Sequence, residues 1–531
     1  MASPSSATGA STDPSQSTRS RNIIAIAFLL ISGLYFTDTL LRATLKTFWY
    51  DELVTVYLCR LPSFHATWAA VLYGTDLNPP LFYLLTRWAQ HFSGEGLIAS
   101  RLPGVLGFWI FGVCLYCFTA RRLGRLCGCI AALTPWFTLA HYYAYEARPH
   151  GALLGWCGLM LLCWQRSRDD RPARLWPPNL WLVGLFFSFL AGLLTHVYAL
   201  FLAVPFLLVE CDNLFHRRRI RLGTCFAILI PPFLVAHLYL QLTRHYLSGI
   251  KGGGLHIHPY EVVQHYLIAV FGPGLALFII LLALLAWWRS QGGQLAASIP
   301  SPLSMTREEL VLALWLVVLP ILGVVAAKIS HGPYFDRYFL VSTAGYALFL
   351  AQVVATWRRR SFVARALIVT MLFFIAADTL IAAYCRWRHG DIDQVEPSSH
   401  IVFVPDPAKP FMRNASLLQD RSQLDILVTG HPDYLYIQYY ASPELRRRLY
   451  FAAPDTNEMF LHSYQQLSHV IGAGLQTTTL DDSFFTTHPD FLVYQSNAGI
   501  CEACTEKILA AGFTLRSVQP DIDGELQHFS K

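Results

Sequence analysis

The stretch Phe48-Trp49-Tyr50-Asp51-Glu52 sets two adjacent carboxylates directly after the first long apolar run of the chain. Acidic groups where such a run leaves a bilayer are costly to desolvate and are commonly kept for function. Taken alone, the pair also reads as solvated loop charge at the start of the next helix. Residues farther along shift that balance. Asn78, Glu146, Arg148, His150, His196, Tyr334, Asp336 and Arg337 are polar or ionisable groups held in short segments between apolar runs. A carboxylate near a hydroxyl can act as general base, typically contributing about 10²–10⁴-fold. Guanidinium groups bind phosphate through a planar fork. Carboxylate, imidazole and guanidinium together suit acid–base chemistry on an anionic substrate. Each residue has a plainer reading beside this one. His196 can be a hydrogen-bonded turn residue, and Arg148 and Arg337 can pair with Glu146 and Asp336.

The elements that must position these groups are membrane helices. The chain has 531 residues, of which 54% are hydrophobic and 14% charged, with a mean hydropathy of +0.40. A soluble protein of this size carries about 25% charged residues. Apolar stretches fall at 22–42, 97–120, 126–144, 150–165, 179–195, 197–211, 221–240, 261–288, 309–327, 337–356 and 362–384, each near the length a span needs. Arginines cluster in alternate loops: Arg121, Arg122 and Arg125; Arg166, Arg168, Arg171 and Arg174; Arg217 to Arg219; Arg289 and Arg307; Arg358 to Arg360. The positive-inside rule puts those loops in the cytoplasm. The net charge of +6 is therefore a topology signal, with no nucleic-acid partner implied. Eleven spans leave residues 43–96 as one large external loop and the C-terminal part outside. Within that loop, Phe64–Tyr73 and Leu81–Phe92 are amphipathic and suit helices lying at the interface.

Residues 1–21 are Ser/Thr-rich and read as a disordered cytoplasmic tail, and residues 22–385 as the membrane domain. From 386 to 531 charge rises and the long apolar runs end. Short β-like runs (Ile401–Val404, Ile426–Thr429, Leu492–Tyr494) alternate there with helix-like stretches (Met459–Ile471, Cys501–Ala511), the pattern of a small α/β domain. Most of the 12 cysteines sit in apolar runs as small hydrophobes, but Cys501 and Cys504 are spaced for a local disulfide. Lys251 to Gly254, followed by His256 and His258, marks a loose external loop that could close over a substrate or merely connect two spans. His256, His258, Glu261 and His265 are metal-ligand types in no recognised spacing. No metal site or cofactor is called for, a divalent ion being the lesser alternative.

Four motifs in order resemble a known family: the acidic pair after the first span; Asn78-Pro79-Pro80-Leu81-Phe82-Tyr83-Leu84-Leu85; Ser100-Arg101-Leu102-Pro103-Gly104-Val105-Leu106; and Tyr145-Glu146-Ala147-Arg148-Pro149-His150. The order is similar to that of bacterial GT-C membrane glycosyltransferases, related to the dolichyl-phosphate-mannose-protein mannosyltransferases and the lipid A aminoarabinose transferase. The likeness spans roughly residues 20–385. That family commonly has His or Lys before the Pro-Pro pair, where this chain has Asn78.

The resemblance implies a polytopic α-helical GT-C fold of about 11 spans with a C-terminal α/β extramembrane domain. It implies inverting transfer of one sugar from a polyprenyl-phosphate carrier to an acceptor hydroxyl of a glycan, lipid or protein. The enzyme would sit as a multi-pass protein in the inner (plasma) membrane, with the active site and C-terminal domain on the periplasmic or external side. Carried over, Asp51 is the general base and Glu52 its runner-up. Arg148 and Arg337 are the phosphate ligands by analogy. Beyond the motif match, Asn78, Glu146, His150, His196, Tyr334 and Asp336 are added to the substrate-binding set, with Glu146 and His196 expected to orient acceptor or sugar hydroxyls. A polyprenyl-linked glycan ligase or polymerase, and a lipid or sugar transporter, are the competing classes.

Overall fold

The computed structural model describes residues 14–168, 180–249, 304–330, 336–356, 360–389, 423–453, 470, 474–496, 501–520 and 524–531. Among the described residues most of the expected apolar runs are helical. They are α1 (Pro14–Leu45), α2 (Tyr50–Arg60), α3 (Phe64–Leu72), α4 (Pro80–Ser93), α5 (Leu97–Leu123) and α6 (Arg125–Leu133). After these come α7 (Leu139–Tyr142), α8 (His150–Ser167), α9 (Leu180–Thr195), α10 (Ala203–Arg217), α11 (Leu222–Gly249), α12 (Arg307–Ser330), α13 (Ser342–Ala355) and α14 (Arg360–His389). Among the described residues six helical segments are long and apolar enough to cross a membrane: Ala25–Leu45, Leu97–Leu123, Val197–Arg217, Leu222–Leu242, Arg307–Ile329 and Ser361–Tyr384. Leu180–Thr195 and Ser342–Ala355 are apolar but shorter. The chain is a multi-pass membrane protein. The stretch 261–288 lies outside the described residues.

Two expected spans differ: 337–356 opens with a 3-10 turn over Asp336–Phe339 and is an α-helix only from Ser342, and 126–144 is broken more deeply. Residues 126–144 do not form a continuous helix: α6 gives way to a 3-10 turn over Thr134–Phe137, then α7, then a second 3-10 turn over Tyr143–Tyr145. Pro135 has no N–H to continue the ladder, and the Thr138 hydroxyl accepts from Ala140 N instead. The break turns Trp136 and His141 inward. Both meet Asp38 of α1, with Trp136 Nε1 3.2 Å and His141 Nε2 3.2 Å from its carboxylate. Arg42 joins Asp38 at 2.9 Å and Asp378 of α14 at 2.6 Å, and the Thr379 hydroxyl donates to Asp38. Charged groups therefore lie within the spans as well as at their ends, closed into a buried ion cluster.

Helices α5 and α8 touch backbone to backbone. A Cβ on Gly107 would lie 2.3 Å from the Gly151 carbonyl oxygen, and one on Gly151 would lie 2.7 Å from Gly104 Cα. This approach brings Arg101 of α5 close to the turn preceding α8. At the other end of the bundle, Arg168 pairs with both Glu210 and Glu308. Arg217 reaches Glu308 at 3.0 Å and Arg122 reaches Glu309 at 3.1 Å. Several arginines of the alternate loops thus tie α8, α10 and α12 together.

The C-terminal part is a six-stranded sheet in the order β3-β2-β1-β4-β6-β5. Its elements are β1 (Asp425–Val428), α15 (His431–Tyr440), α16 (Pro443–Arg446), β2 (Leu449–Ala453), β3 (Thr477–Thr479), α17 (Asp482–Thr487), β4 (Asp490–Ser496), α18 (Glu502–Ala510), β5 (Thr514–Pro520) and β6 (Gly524–Ser530). Strands β3, β2, β1 and β4 run parallel, with Ile426 opposite Leu449 on one side and Leu492 on the other. Strand β6 is antiparallel to β4 and β5. Cys501 and Cys504 are joined in a disulfide at the start of α18. The expected runs Ile401–Val404 and Met459–Ile471 fall outside the described residues or largely so. One face of the sheet packs with α2 and α3 in a single apolar core that includes Leu53, Tyr57, Val71, Ile426, Leu435 and Phe451.

Arg42 is the cation that two buried carboxylates share, so Arg42→Ala should lower stability by about 3–5 kcal/mol. The exposed Arg60–Glu95 pair should matter by less than about 1 kcal/mol on Arg60→Ala. Thermal unfolding of the two variants in detergent checks the contrast.

Candidate active site

Asp51 and Glu52 occupy the first turn of α2, and adjacent helical positions point about 100° apart. The Glu52 carboxylate is fully buried. Trp49 N–H donates to its Oε2 at 3.3 Å, closing the first turn. Arg101 clasps it with two bonds, Nε to Oε1 at 2.8 Å and Nη2 to Oε2 at 2.9 Å. Ala147 N–H adds a fourth bond to the carboxylate at 2.7 Å. The remaining Arg101 donors reach the carbonyls of Ala43, Lys46 and Thr47. Lys46 Nζ lies 2.5 Å from Glu146 Oε1 and 3.7 Å from Glu52 Oε2, above the Tyr142 ring at 4.0 Å. Burial pushes the Glu52 carboxyl up, but Arg101 and Lys46 outweigh that and hold it below its ordinary value. Glu146 moves the other way, raised by burial and by the charge of Glu52.

Asp51 faces a different space. Its carboxylate is 19% exposed, 3.3 Å from Arg337 Nη2 and 3.9 Å from Arg148 Nη2. Arg337 stands over the Trp49 ring at 5.6 Å. Arg148 Nη1 donates to Asp76 Oδ2 at 2.9 Å and to the Asp51 carbonyl at 3.1 Å, while its Nε is buried with no hydrogen-bond partner among the described residues. Asp76 also accepts from Tyr83 OH at 2.7 Å, Asn78 Nδ2 at 2.9 Å and Leu77 N at 2.7 Å. Burial opposes its ionisation, yet Arg148 and the Tyr83 hydroxyl hold its pKa below the ordinary value. Pro79 and Pro80 start α4 directly after this cluster, which fixes Asn78 at the helix mouth.

Beside the arginines lies an aromatic wall. His150 stacks edge-on with Tyr143 at 4.9 Å and lies 5.1 Å from His196. Tyr338 meets His196 at 5.4 Å and Tyr198 at 4.1 Å. His196 Nδ1 accepts from Tyr198 N–H at 3.1 Å, which caps the next turn. Burial, together with the Arg148 and Arg337 charges, pushes the His196 imidazolium down to about 3, so the ring stays neutral at physiological pH.

The structure brings Asp51, Asn78, Arg148, His150, His196 and Arg337 to one locality, and puts Glu52 and Glu146 behind it around Lys46. Arg148 pairs with Asp76 and Asp51 in place of Glu146. Arg337 meets Asp51. Tyr334 and the Asp336 side chain lie outside the described residues, as do His256, His258, Glu261 and His265. Among the described residues no three His, Cys, Asp or Glu side chains converge as a metal would require. The sequence reading missed Asp76, Lys46 and the role of Arg101. Asp76 carried a signal, an acidic residue four places before a Pro-started helix.

No protein family and no curated protein matches the chain. Solved structures do. ArnT from Cupriavidus metallidurans in the apo state aligns over 96% of this chain and 98% of that one, with a TM-score of 0.54 and 13% identity. The same protein bound to undecaprenyl phosphate aligns over 95% and 97%, with a TM-score of 0.53 and 13% identity. The fold is that of ArnT. This agrees with the GT-C architecture that the four motifs imply, and it extends through the C-terminal sheet. At this identity the ArnT likeness speaks for the fold, and the side chains speak for themselves.

Glu52→Gln should unfold the clasp, costing about 3–5 kcal/mol through the uncompensated Arg101. The depressed Glu52 pKa means this stabilisation is fully present above the ordinary carboxyl value of 4.5 and is withdrawn as pH falls through the lower folded value. The stability gap between wild type and variant should therefore be flat above pH 4.5 and close as the pH falls below it. Thermal melts across pH check it.

Proposed function

We propose that this chain is a membrane glycosyltransferase that moves a single sugar from a polyprenyl-phosphate carrier to an acceptor hydroxyl. The observation that carries the reading is the partly open Asp51 carboxylate set against two arginines, in a chain with the ArnT fold. Asp51 takes the acceptor hydroxyl proton as the oxygen attacks the anomeric carbon. The bond from that carbon to the phosphate oxygen breaks, and the sugar configuration inverts. A phosphodiester becomes a phosphomonoester, so the departing group gains negative charge. A guanidinium at that position favours the transition state over the ground state. Asp76 already offsets much of the Arg148 charge, which gives Arg337 the larger share of the phosphate. Glu52 serves as the brace of the loop, and the half-buried Tyr338 ring, backed by the buried neutral rings of His150 and His196, offers a surface for the sugar. In this reading the site faces the external side of the membrane.

An apolar cleft of about 180 Å³ lies between α4, α5 and α8, lined by Leu85, Trp88, Leu106, Ile110, Ala152 and Trp156. Ala152 stands four residues past Arg148, and the lining continues to Leu159, roughly 10 Å farther along α8. The first prenyl units of the carrier fit this path, with the phosphate at the arginines. The cluster of Asp38, Arg42 and Asp378 does not favour a transport pathway, since its side chains are at most 3% exposed.

Asp51→Asn keeps the size and removes the proton acceptor. Transfer from a panel of polyprenyl-phosphate sugars should fall on the order of 10²-fold or more, with undecaprenyl phosphate binding kept. Near-normal transfer removes Asp51 as base. Arg337→Ala should weaken undecaprenyl phosphate binding by about 1.5–3 kcal/mol, typical of a charge-assisted hydrogen bond. Unchanged affinity in the folded variant confines Arg337 to its pair with Asp51.

A further inference from the structure

We infer that the C-terminal domain completes the active centre, with His431 acting through Tyr50 as a positioning residue for Asp51. Tyr50 directly precedes the proposed base. Its hydroxyl is 3.1 Å from His431 Nδ1, and the two rings meet edge-on at 5.3 Å. Two further bonds tie the same segments. Phe48 N–H donates to Tyr440 OH at 2.8 Å, and Tyr57 OH donates to the Leu435 carbonyl at 3.2 Å. The Phe48 ring is fully buried, edge-on to Tyr439 at 5.3 Å and beneath the Arg101 guanidinium at 4.8 Å. Contacts of α15 thus bracket Asp51 on both sides in sequence, at Phe48, Tyr50 and Tyr57.

His431 is itself held by a stiff support. It is the first residue of α15, one short connection after β1, the strand flanked by β2 and β4. Gly430 caps that helix where a Cβ would lie 2.1 Å from Asp433 Oδ2, and Pro432 sets the first turn. The His431 ring also packs on Phe451 of β2 at 5.9 Å. A line of contact runs from the sheet to His431, to Tyr50 and to the first turn of α2. That turn carries the Asp51 carboxylate and also the Asp51 carbonyl that receives Arg148. Displacing it misaligns base and arginine together. A packing interface alone would need no polar contact at this point. The Tyr50 phenol, raised above its usual value by burial and by the Asp51 and Asp76 carboxylates, keeps its proton and holds the contact.

This inference rests on the proposed role of Asp51, and its test separates the two. Full-length wild type, His431→Ala, His431→Asn and Tyr440→Phe are compared in detergent or nanodiscs. Three quantities are read: binding of undecaprenyl phosphate, turnover of whichever polyprenyl-phosphate sugar the wild type consumes, and amide hydrogen exchange over residues 48–58. His431→Ala should bind undecaprenyl phosphate within about twofold of wild type and turn over roughly 10- to 100-fold more slowly. Exchange over 48–58 should speed up while exchange in the sheet is unchanged. His431→Asn, which keeps a polar atom near the Nδ1 position, should recover most of the rate. Tyr440→Phe, which loses the Phe48 bond without touching His431, should show the same split between rate and binding and stands in if His431→Ala does not fold. Wild-type rate and exchange in His431→Ala would overturn the inference. So would a loss of binding in step with rate, which would make His431 a ligand contact. A wild type that neither binds undecaprenyl phosphate nor consumes any donor sinks the functional reading, and the exchange data then decide the positioning alone.

Discussion

The buried ion pair of Arg101 and Glu52 is the interaction on which the site depends. Neither charge could stand alone in that place, because burying an unpaired ion costs more than any packing around it returns. Their pairing is closed by backbone groups from three separate segments: the carbonyls at and just past the end of α1, the Trp49 amide at the start of α2, and the Ala147 amide before α8. One bidentate contact thereby fixes the relative position of the chain that bears Asp51 and the chain that bears Arg148. The glycine contact of α5 with α8 is what lets Arg101 reach that far.

Adjacent carboxylates end up with opposite tasks for a simple geometric reason. The helical step sends Glu52 into the protein and leaves Asp51 at the opening. The inner carboxylate is saturated by donors and keeps its charge, while the outer one has accessible surface and two guanidinium neighbours at 3.3 and 3.9 Å. Asp76 adds a second layer of the same kind, since it holds Arg148 from behind through the α4 entrance. The polar part of the site is thus graded in exposure, with Glu52 and Arg101 fully buried, Asp76 and Arg148 about one-tenth exposed and Asp51 the more open carboxylate, and with neutral rings on the flank.

Much of this was legible in the sequence, and the failures share a cause. Apolar runs give helices because length and hydropathy are local properties, and the Pro-Pro start of α4 is local too. Residues 126–144 misled because hydropathy does not register the missing N–H of Pro135 or the cap at Thr138. Ion-pair partners were misassigned where nearness in sequence stood in for nearness in space: Arg148 lies two residues from Glu146 but pairs with Asp76, seventy-two residues away. Arg101 stood in the sequence only as a motif residue and Lys46 carried no signal, because the carboxylates they meet are set by the fold alone. The sheet domain was visible in β1, β4 and α18. Its grip on α2 was not, since tyrosines on α15 look like any amphipathic helix.

That grip has a consequence for how the molecule comes into being. Residue Tyr50 leaves the ribosome early, and the side chain that meets its hydroxyl follows 381 positions later. The partner of the Phe48 amide comes 392 positions later. Through most of synthesis the helices can be threaded into the bilayer, but α2 and α3 wait with the apolar face that the sheet domain later covers. The contacts around Phe48, Tyr50 and Tyr57 are therefore among the last to form, and a chain halted or cleaved before β1 would have its helices without them.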